Sequence, residues 1–401
     1  MKKITFESLK SNKLDLVILV GGKGTRIKQY LKGLPKPMVK FNNKHFLQYI
    51  LNVFCKYHFR RIFLLTGYKK NIIFKKFHNR SFNFIKTICL KEKKIMGTGG
   101  ALNNIKKKVN DFILINGDTI FNINLLKLVH SLKKNKFGSI ALLNNSKQKS
   151  FKLNHLVLKN NIVKYTTKGN LMNGGIYYFK KKIFKYIPNK NCSLENDILP
   201  ELINKKKING KIFNNFFIDI GTKDYFHKAS KKLYYQFKRP AIFLDRDGVI
   251  NYDYGYVHSL KKFKFKKKVI EGLKYLNEKK YYIFIITNQS GIGKKIFSEK
   301  QFINLHLFLK KYLQKKNIFV NDVKYSPYHP NARINKYKKR SYFRKPGNLM
   351  IKSILKNWDV DLKNSFMIGD KYSDLLAAKK SNLKFYYSKN NFLKQIKSIT
   401  K

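Results

Sequence analysis

The chain has 401 residues, 43% hydrophobic and 15% aromatic; this is enough for two ordinary domains with real cores and excludes wholesale disorder. Its formal net charge is +66, which would suit a nucleic-acid or anionic-membrane binder. No helix-turn-helix, zinc-finger or RNA-binding signature accompanies that charge, and lysine is spread through nearly every segment beside asparagine, phenylalanine, tyrosine and isoleucine. The charge therefore reads as biased composition that draws in phosphorylated substrates, with neither nucleic acid nor membrane as the expected partner.

In chain order, the first residues (MKKITFESLKSNKLD) hold no apolar signal core, and no apolar run approaches the ~18 residues of a membrane span. Strand-like runs follow at Leu16–Val20, Ile62–Thr66, Phe112–Asn116, Ile140–Leu143, Gly175–Phe179, Ile242–Asp245, Tyr282–Thr287 and Phe366–Gly369. Segments such as Lys44–His58 and Ser298–Lys315 carry apolar residues at helical spacing. The alternation predicts an α/β protein with parallel sheets. Strand-then-acid signals come in two groups. Between them lies the basic, proline-ended Lys231–Pro240, so the expected domains are 1–235 and 236–401. Cys55, Cys89 and Cys192 are isolated and odd in number, which fits a reduced compartment, and the expected location is cytoplasmic. His130, His155, His227 and Trp358 read as core or surface.

In the first half, the opening strand ends in Gly21-Gly22-Lys23-Gly24-Thr25-Arg26. A glycine-rich turn after a strand lets backbone N–H groups approach phosphate oxygens. The spacing is neither a Walker A loop nor the dinucleotide fingerprint, because Ile27 stands where a third glycine would be needed. Pro35 and Pro37 hold the backbone around Lys36, a way to aim an ammonium at phosphate. Gly97–Ala101 forms a second glycine-rich loop. Asp118 and Asp219 each follow a strand, where ligands bind in open α/β sheets, and two such carboxylates can hold Mg²⁺.

Taken in order, GGKGTR, PKPM, MGTGGA, NGD, NGGIYYF, SLENDILP and FIDIGT resemble the sugar-1-phosphate nucleotidyltransferases over about residues 14–230. The resemblance implies a Rossmann-like domain that joins a sugar 1-phosphate to a nucleoside triphosphate and releases pyrophosphate. It implies that Gly21, Gly22, Gly24 and Thr25 hold the nucleotide, that Arg26 faces the pyrophosphate and that Lys36 contacts phosphate. Gly99 and Gly100 would lie near base and sugar, Asn173 and Glu195 near the sugar, and Asp118 and Asp219 on Mg²⁺.

In the second half, a strand delivers Asp245-Arg246-Asp247-Gly248. Two aspartates one residue apart repel unless a cation relieves them. One can then attack phosphorus while the other handles the leaving-group proton. Thr287, Asn288 and Gln289 offer a hydroxyl and amides, Arg344 and Lys345 two cations, and Asp370 a further carboxylate with Asp374 one helical turn on.

The stretches FLDRDGVINYDYGYV, TNQSGI, RKPG and MIGDKYSD resemble the haloacid-dehalogenase (HAD) superfamily of phosphatases over about residues 240–390. They look most like the branch that includes heptose-bisphosphate and histidinol phosphatases. The resemblance implies Asp245 as nucleophile, Asp247 as general acid/base, Thr287 and Lys345 as phosphate binders, Mg²⁺ on Asp245, Asp247 and Asp370, and substrate contact by Arg344 and Gln289. No large cap is expected. Many members of the branch bind zinc through cysteines and a histidine before the RKP motif. This loop offers His329 but no cysteine, so no zinc is expected.

Together the two resemblances suggest two Rossmann-like domains in tandem and a bifunctional enzyme of nucleotide-activated heptose synthesis, with GTP as the chosen nucleotide. The alternative is a hexose-1-phosphate transferase joined to a phosphatase of another substrate, such as histidinol phosphate.

Overall fold

The computed structural model describes residues 14–92, 94–144, 156–166 and 168–400. His155 and the segment 1–13 lie outside the described residues. Backbone proximity divides the chain into two units, residues up to 53 with 59–231, and residues 54–58 with 232–401. The division expected at 235/236 falls inside the helix Lys223–Phe237.

The first unit contains β1 (Asp15–Leu19), β2 (Lys40–Phe41), β3 (Lys44–His45), β4 (Ile62–Thr66), β5 (Ser81–Phe82), β6 (Ile85–Lys91) and β7 (Phe112–Asn116). Then come β8 (Thr119–Phe121), β9 (Gly138–Asn144), β10 (Leu156–Lys159), β11 (Ile162–Tyr165), β12 (Leu171–Phe179), β13 (Ile208–Ile212) and β14 (Phe217–Asp219). Among the described residues, ten of these form one sheet in the order β10-β11-β13-β9-β12-β7-β1-β4-β6-β5. Its centre, β7-β1-β4-β6, is parallel. β1, β4 and β7 are near-continuous apolar runs, as burial on both faces requires, whereas β6 alternates buried with more exposed residues.

The sheet is mixed, where the sequence pattern suggested parallel sheets throughout. β12 runs antiparallel to both β7 and β9. The reversal comes from the β10–β11 hairpin, turned at Asn160 and Asn161 with φ of 50° and 64°. Such a hairpin needs no helical crossover, so direction flips within a few residues. A second asparagine pair, Asn42 and Asn43 at 48° and 64°, folds β2 onto β3. Lys44 and His45 are therefore strand, and the helix expected from Lys44 begins at Phe46 and ends at Phe54.

Register decides where the functional loops emerge. Leu19 lies level with Asn116 on β7, and Gly117 N–H donates to the Leu19 carbonyl at 2.9 Å. The loops after β1 and β7 thus leave the same edge of the sheet side by side. Asp219, 101 positions after Asp118, returns to that edge because β14 pairs antiparallel with β8, setting Asp219 opposite Thr119.

The second unit is built on a parallel sheet in the order β17-β16-β15-β18-β19. Its strands are β15 (Ala241–Leu244), β16 (Tyr282–Asn288), β17 (Asp322–Ser326), β18 (Phe366–Gly369) and β19 (Lys384–Tyr387). Between β15 and β16 lie a loop and the helix Val269–Glu278. Phe243, Phe284, Met350, Ile354, Trp358 and Met367 pack in the core. β15 and β18 are neighbours, so Asp245 and Asp370 leave adjacent strand ends.

Candidate active sites

In the first unit a cavity of about 450 Å³ opens at the carboxyl edge of β1 and β7. Gly21, Gly22, Gly24, Thr25 and Arg26 form one wall, Lys36, Asp118 and Asp219 another, and Thr98, Asn116 and Glu195 a third. Gly24 takes φ 69°, and a Cβ there would stand 2.7 Å from Leu31 and 2.8 Å from Lys36. Only glycine meets both constraints without strain.

Lys36 Nζ donates to Asp118 Oδ2 at 2.8 Å. Asp219 Oδ1 accepts from Gly221 N–H at 2.7 Å. A Cβ on Gly221 would meet Asp219, Lys36 and Asp118 at 2.9, 3.2 and 3.7 Å, so the three groups surround one point. Burial, and then the Asp118 charge, pushes the Asp219 carboxyl up to about 7, against the pull of Gly221 N–H, Lys36 and Arg26. Two carboxylates this close, one destabilised in its charged form, suit a divalent cation.

The sugar-side expectations divide. Glu195 lines the cavity and accepts from Thr98 Oγ1 at 2.6 Å and Asn116 Nδ2 at 3.4 Å. Asn173 does not line it. Its amide braces the irregularity in β12, with Oδ1 accepting from Gly175 N–H at 2.9 Å and Nδ2 donating to Tyr177 at 2.6 Å. From the second glycine loop, Gly97 and Thr98 reach the cavity. Gly99 and Gly100 sit behind, buried, with both N–H groups donating to the Cys192 carbonyl. Thr98 and Asn116 were within quoted motifs but given no role. Asn116 Oδ1 is buried without a hydrogen-bond partner, a free acceptor at the wall. Glu92 also lines the cavity.

The second unit holds a cavity of about 500 Å³ lined by Asp245, Asp247, Tyr256, Thr287, Asn288, Gln289, Arg344 and Lys345, among others. At its floor, Lys345 Nζ lies 2.9 Å from Asp245 and 2.5 Å from Asp374. Burial works against the Lys345 cation, but the two carboxylates raise its pKa overall. Burial pushes Asp245 up to about 7, with Lys345 drawing it down and Asp374 and Asp247 adding to the rise.

Asp245, Asp370 and Asp374 can each present an oxygen within 4.8 Å of the others. Asp370 Oδ1 is buried with no hydrogen-bond partner. An orphaned carboxylate oxygen in a cluster of three fits a bound cation. Asp374, first seen only as a supporting partner, belongs to this group. Asp247, expected to share the cation, lies outside this side-chain group, and its carboxylate is occupied by hydrogen bonds. Its oxygens accept from Arg246 at 3.1, 2.8 and 2.7 Å, from Asn251 at 2.9 Å and from Gln289 at 2.9 Å.

Gln289 Nε2 also donates to Thr287 Oγ1 at 2.9 Å, tying the expected phosphate binder to the acid/base. The Asn288 side chain exchanges two hydrogen bonds with the Lys345 backbone, at 3.1 and 3.0 Å, just before a cis Lys345–Pro346 bond. Arg246 and Asn251 were legible as motif letters, but their hold on Asp247 was not. Glu299, at the start of the helix Glu299–Lys315, accepts from Tyr325 on β17 and, at 3.2 Å, from Tyr337 in the loop before Arg344. His329 Nδ1 accepts from Asn331 N–H at 3.0 Å.

The nucleotidyl transferase family pattern matches residues 16–236, and a HAD-hydrolase-like pattern matches 342–390. The D-glycero-beta-D-manno-heptose-1,7-bisphosphate 7-phosphatase of Rhodopseudomonas palustris is 40% identical over 146 residues, 36% of this chain and 81% of the relative. That of Photorhabdus laumondii is 42% identical over 139 residues, 35% of this chain and 74% of the relative. Among solved structures, HddC from Yersinia pseudotuberculosis complexed with GMP-PN is 28% identical, covers 55% of this chain and 99% of its own, and superposes with a TM-score of 0.45.

Proposed function

The chain belongs to the nucleotidyl transferase family and to the heptose-1,7-bisphosphate 7-phosphatases, and from these two memberships we propose that it is a bifunctional enzyme of nucleotide-activated heptose synthesis. Residues 236–401 would remove the 7-phosphate of a D-glycero-D-manno-heptose 1,7-bisphosphate. Residues 1–235 would couple the resulting heptose 1-phosphate to GTP. The observation that carries the reading is one chain with a carboxylate-lined cavity in each unit, where the product of one reaction is the substrate of the other.

In the phosphatase, Asp245 attacks phosphorus, the bond to the 7-oxygen breaks, and Asp247 protonates that oxygen. Asp247 then takes a proton from water, which attacks the phospho-aspartate and frees phosphate. Arg246, Asn251 and Gln289 support the role of Asp247 by orienting its carboxylate, and Lys345 and Thr287 would hold the phosphate. In the transferase, an oxygen of the sugar 1-phosphate attacks the α-phosphorus and the bond to the β-phosphate breaks. Arg26 and the Gly21–Thr25 N–H groups would take the charge of the leaving pyrophosphate. Magnesium, held by Asp118 and Asp219 in one unit and by Asp245, Asp370 and Asp374 in the other, would supply charge neutralisation on phosphate oxygens.

No helix among the described residues is long and apolar enough to cross a membrane. We assign the enzyme to the cytoplasm, where its three buried cysteines, none of them in a disulfide, would stay reduced, and its product to lipopolysaccharide or a related glycan.

The test is incubation with heptose 1,7-bisphosphate, Mg²⁺ and each nucleoside triphosphate in turn, with histidinol phosphate as a parallel substrate. The expected outcome is phosphate release from the heptose and a GDP-heptose seen by mass. Faster phosphate release from histidinol phosphate, or no nucleotide-heptose with any of the triphosphates, would replace this reading.

A further inference from the structure

The loop over 327–348 joins β17 to the helix Leu349–Asn357 and carries Arg344 and Lys345 into the second cavity. Little inside the loop holds it in place. Its one helical piece is a single short turn, Asn335–Tyr337. Its sequence has lysines and arginines but no acidic residue, so its own charges repel one another. Of Tyr328, Tyr337, Tyr342 and Phe343, only Tyr337 is buried. A loop this long keeps one shape where the rest of the domain fixes it.

One attachment is backbone to backbone. The Gly293 carbonyl accepts from Arg333 and Ile334 N–H at 2.9 and 3.0 Å, and a Cβ on Gly293 would stand 2.5 Å from the Pro327 carbonyl oxygen. Another is made by Glu299, which reaches in from the start of its helix. It gives one carboxylate oxygen to each of two phenols, Tyr325 on β17 and Tyr337 in the loop. Burial, then the hydrogen bond to Glu299 and its charge, pushes the Tyr325 hydroxyl above its ordinary range, so it stays a donor. From Tyr337 the contacts run on to the cavity. The Tyr337 carbonyl accepts from His329 N–H at 3.1 Å, and its ring meets the Tyr328 ring edge-on at 5.7 Å. The Tyr328 carbonyl in turn accepts from Arg344 Nη1 at 3.4 Å. Lys345 is tied separately, through the Asn288 side chain.

A carboxylate suits this place, since it offers acceptors and no donor to two O–H groups, and hydrogen bonds to a charged acceptor are the stronger kind. We propose that Glu299 is a positioning residue of the phosphatase: through Tyr337 and Tyr328 it sets where the Arg344 guanidinium stands, and so how tightly substrate binds, without touching substrate itself. The role rests on the phosphatase reading above, with Arg344 as the substrate contact.

The test measures kcat and KM for phosphate release from heptose 1,7-bisphosphate by the full chain. Arg344→Met should raise KM. Glu299→Ala should raise it about tenfold with kcat changed by less than about twofold, the pattern of a lost binding contact. Glu299→Gln should keep KM near wild type, because its amide accepts from one phenol and donates to the other. In the double variant, Glu299→Ala should add nothing to the effect of Arg344→Met, since both act through one contact. Should Glu299→Ala fail to fold, Tyr337→Phe, which keeps the ring and removes one donor, takes its place with the same pattern expected. An unchanged KM in Glu299→Ala, or effects that multiply in the double variant, overturns the positioning role alone. Wild type that hydrolyses p-nitrophenyl phosphate but not the heptose overturns the heptose reading, and the same variants compared on p-nitrophenyl phosphate then decide the role of Glu299. Wild type that hydrolyses neither overturns the phosphatase reading, and the positioning role with it.

Discussion

Arg246 has no solvent exposure, yet it is an always-charged side chain in the interior of the second unit. It is tolerated because its donors are used: on Asp247, on the Val257 carbonyl at 2.5 Å, and toward His306 Nε2 at 3.4 Å. The arrangement constrains His306 in turn. Burial, and then the Arg246 charge, holds its imidazole well below the ordinary value. His306 therefore stays neutral in the folded protein where the unfolded chain would protonate it, below about pH 6.5. The unfolded state then binds more protons, so stability falls as pH drops through that value, by at most about 1.4 kcal/mol per pH unit from this residue. The chain has one tryptophan, and Trp358 lies in the second unit's core, so its fluorescence reports unfolding there. Between pH 7.5 and 5.5, wild type should lose more stability by this probe than His306→Asn does. Parallel losses would exonerate His306.

At the scale of elements, the helix Glu299–Lys315 carries both His306 and Glu299, the carboxylate that holds Tyr325 and Tyr337 together. Its start is secured by a reciprocal cap. Ser298 Oγ accepts from Gln301 N–H at 3.1 Å, and Ser298 N–H donates to Gln301 Oε1 at 2.8 Å. Ser298→Ala removes one side of that exchange and should cost about 1 kcal/mol. The expected readout is a lower denaturant midpoint in Trp358 fluorescence with an unchanged slope; an unchanged midpoint would mean the cap carries no weight. The helix was legible from the apolar spacing of Ser298–Lys315. The short hairpins of the first unit were not: Asn42-Asn43 and Asn160-Asn161 sit among so many asparagines that composition hid their turn chemistry.

For the whole molecule, the proposed division of labour makes the two chemistries separable. Asp245→Asn keeps size and polarity but removes the nucleophile. It should reduce phosphate release about a thousandfold or more while pyrophosphate release from heptose 1-phosphate and GTP persists. Asp118→Ala should do the reverse, since it takes one of the two paired aspartates from the first cavity and leaves Lys36 without its partner. Assays of both products on each variant check this, and a variant that loses both activities would contradict independent sites.

The linear sequence alone determined the strand ends and the loops that follow them: GGKGTR, NGD, DRDG, TNQS, RKPG and GDKYSD are local, and a buried parallel strand running into a polar loop is a one-dimensional pattern. Which side chains meet depended on register and on long-range pairing. Asp219 reaches Asp118 only because β14 pairs with β8, and Asp374 joins Asp245 only because β18 lies beside β15. The side chain of Asn173, expected near the sugar, bonds within β12, and that of Asp247, expected at the cation, is held by Arg246, Asn251 and Gln289. In each case the deciding fact was which donor the fold brought within hydrogen-bond range, and that distance is not written in the order of the residues.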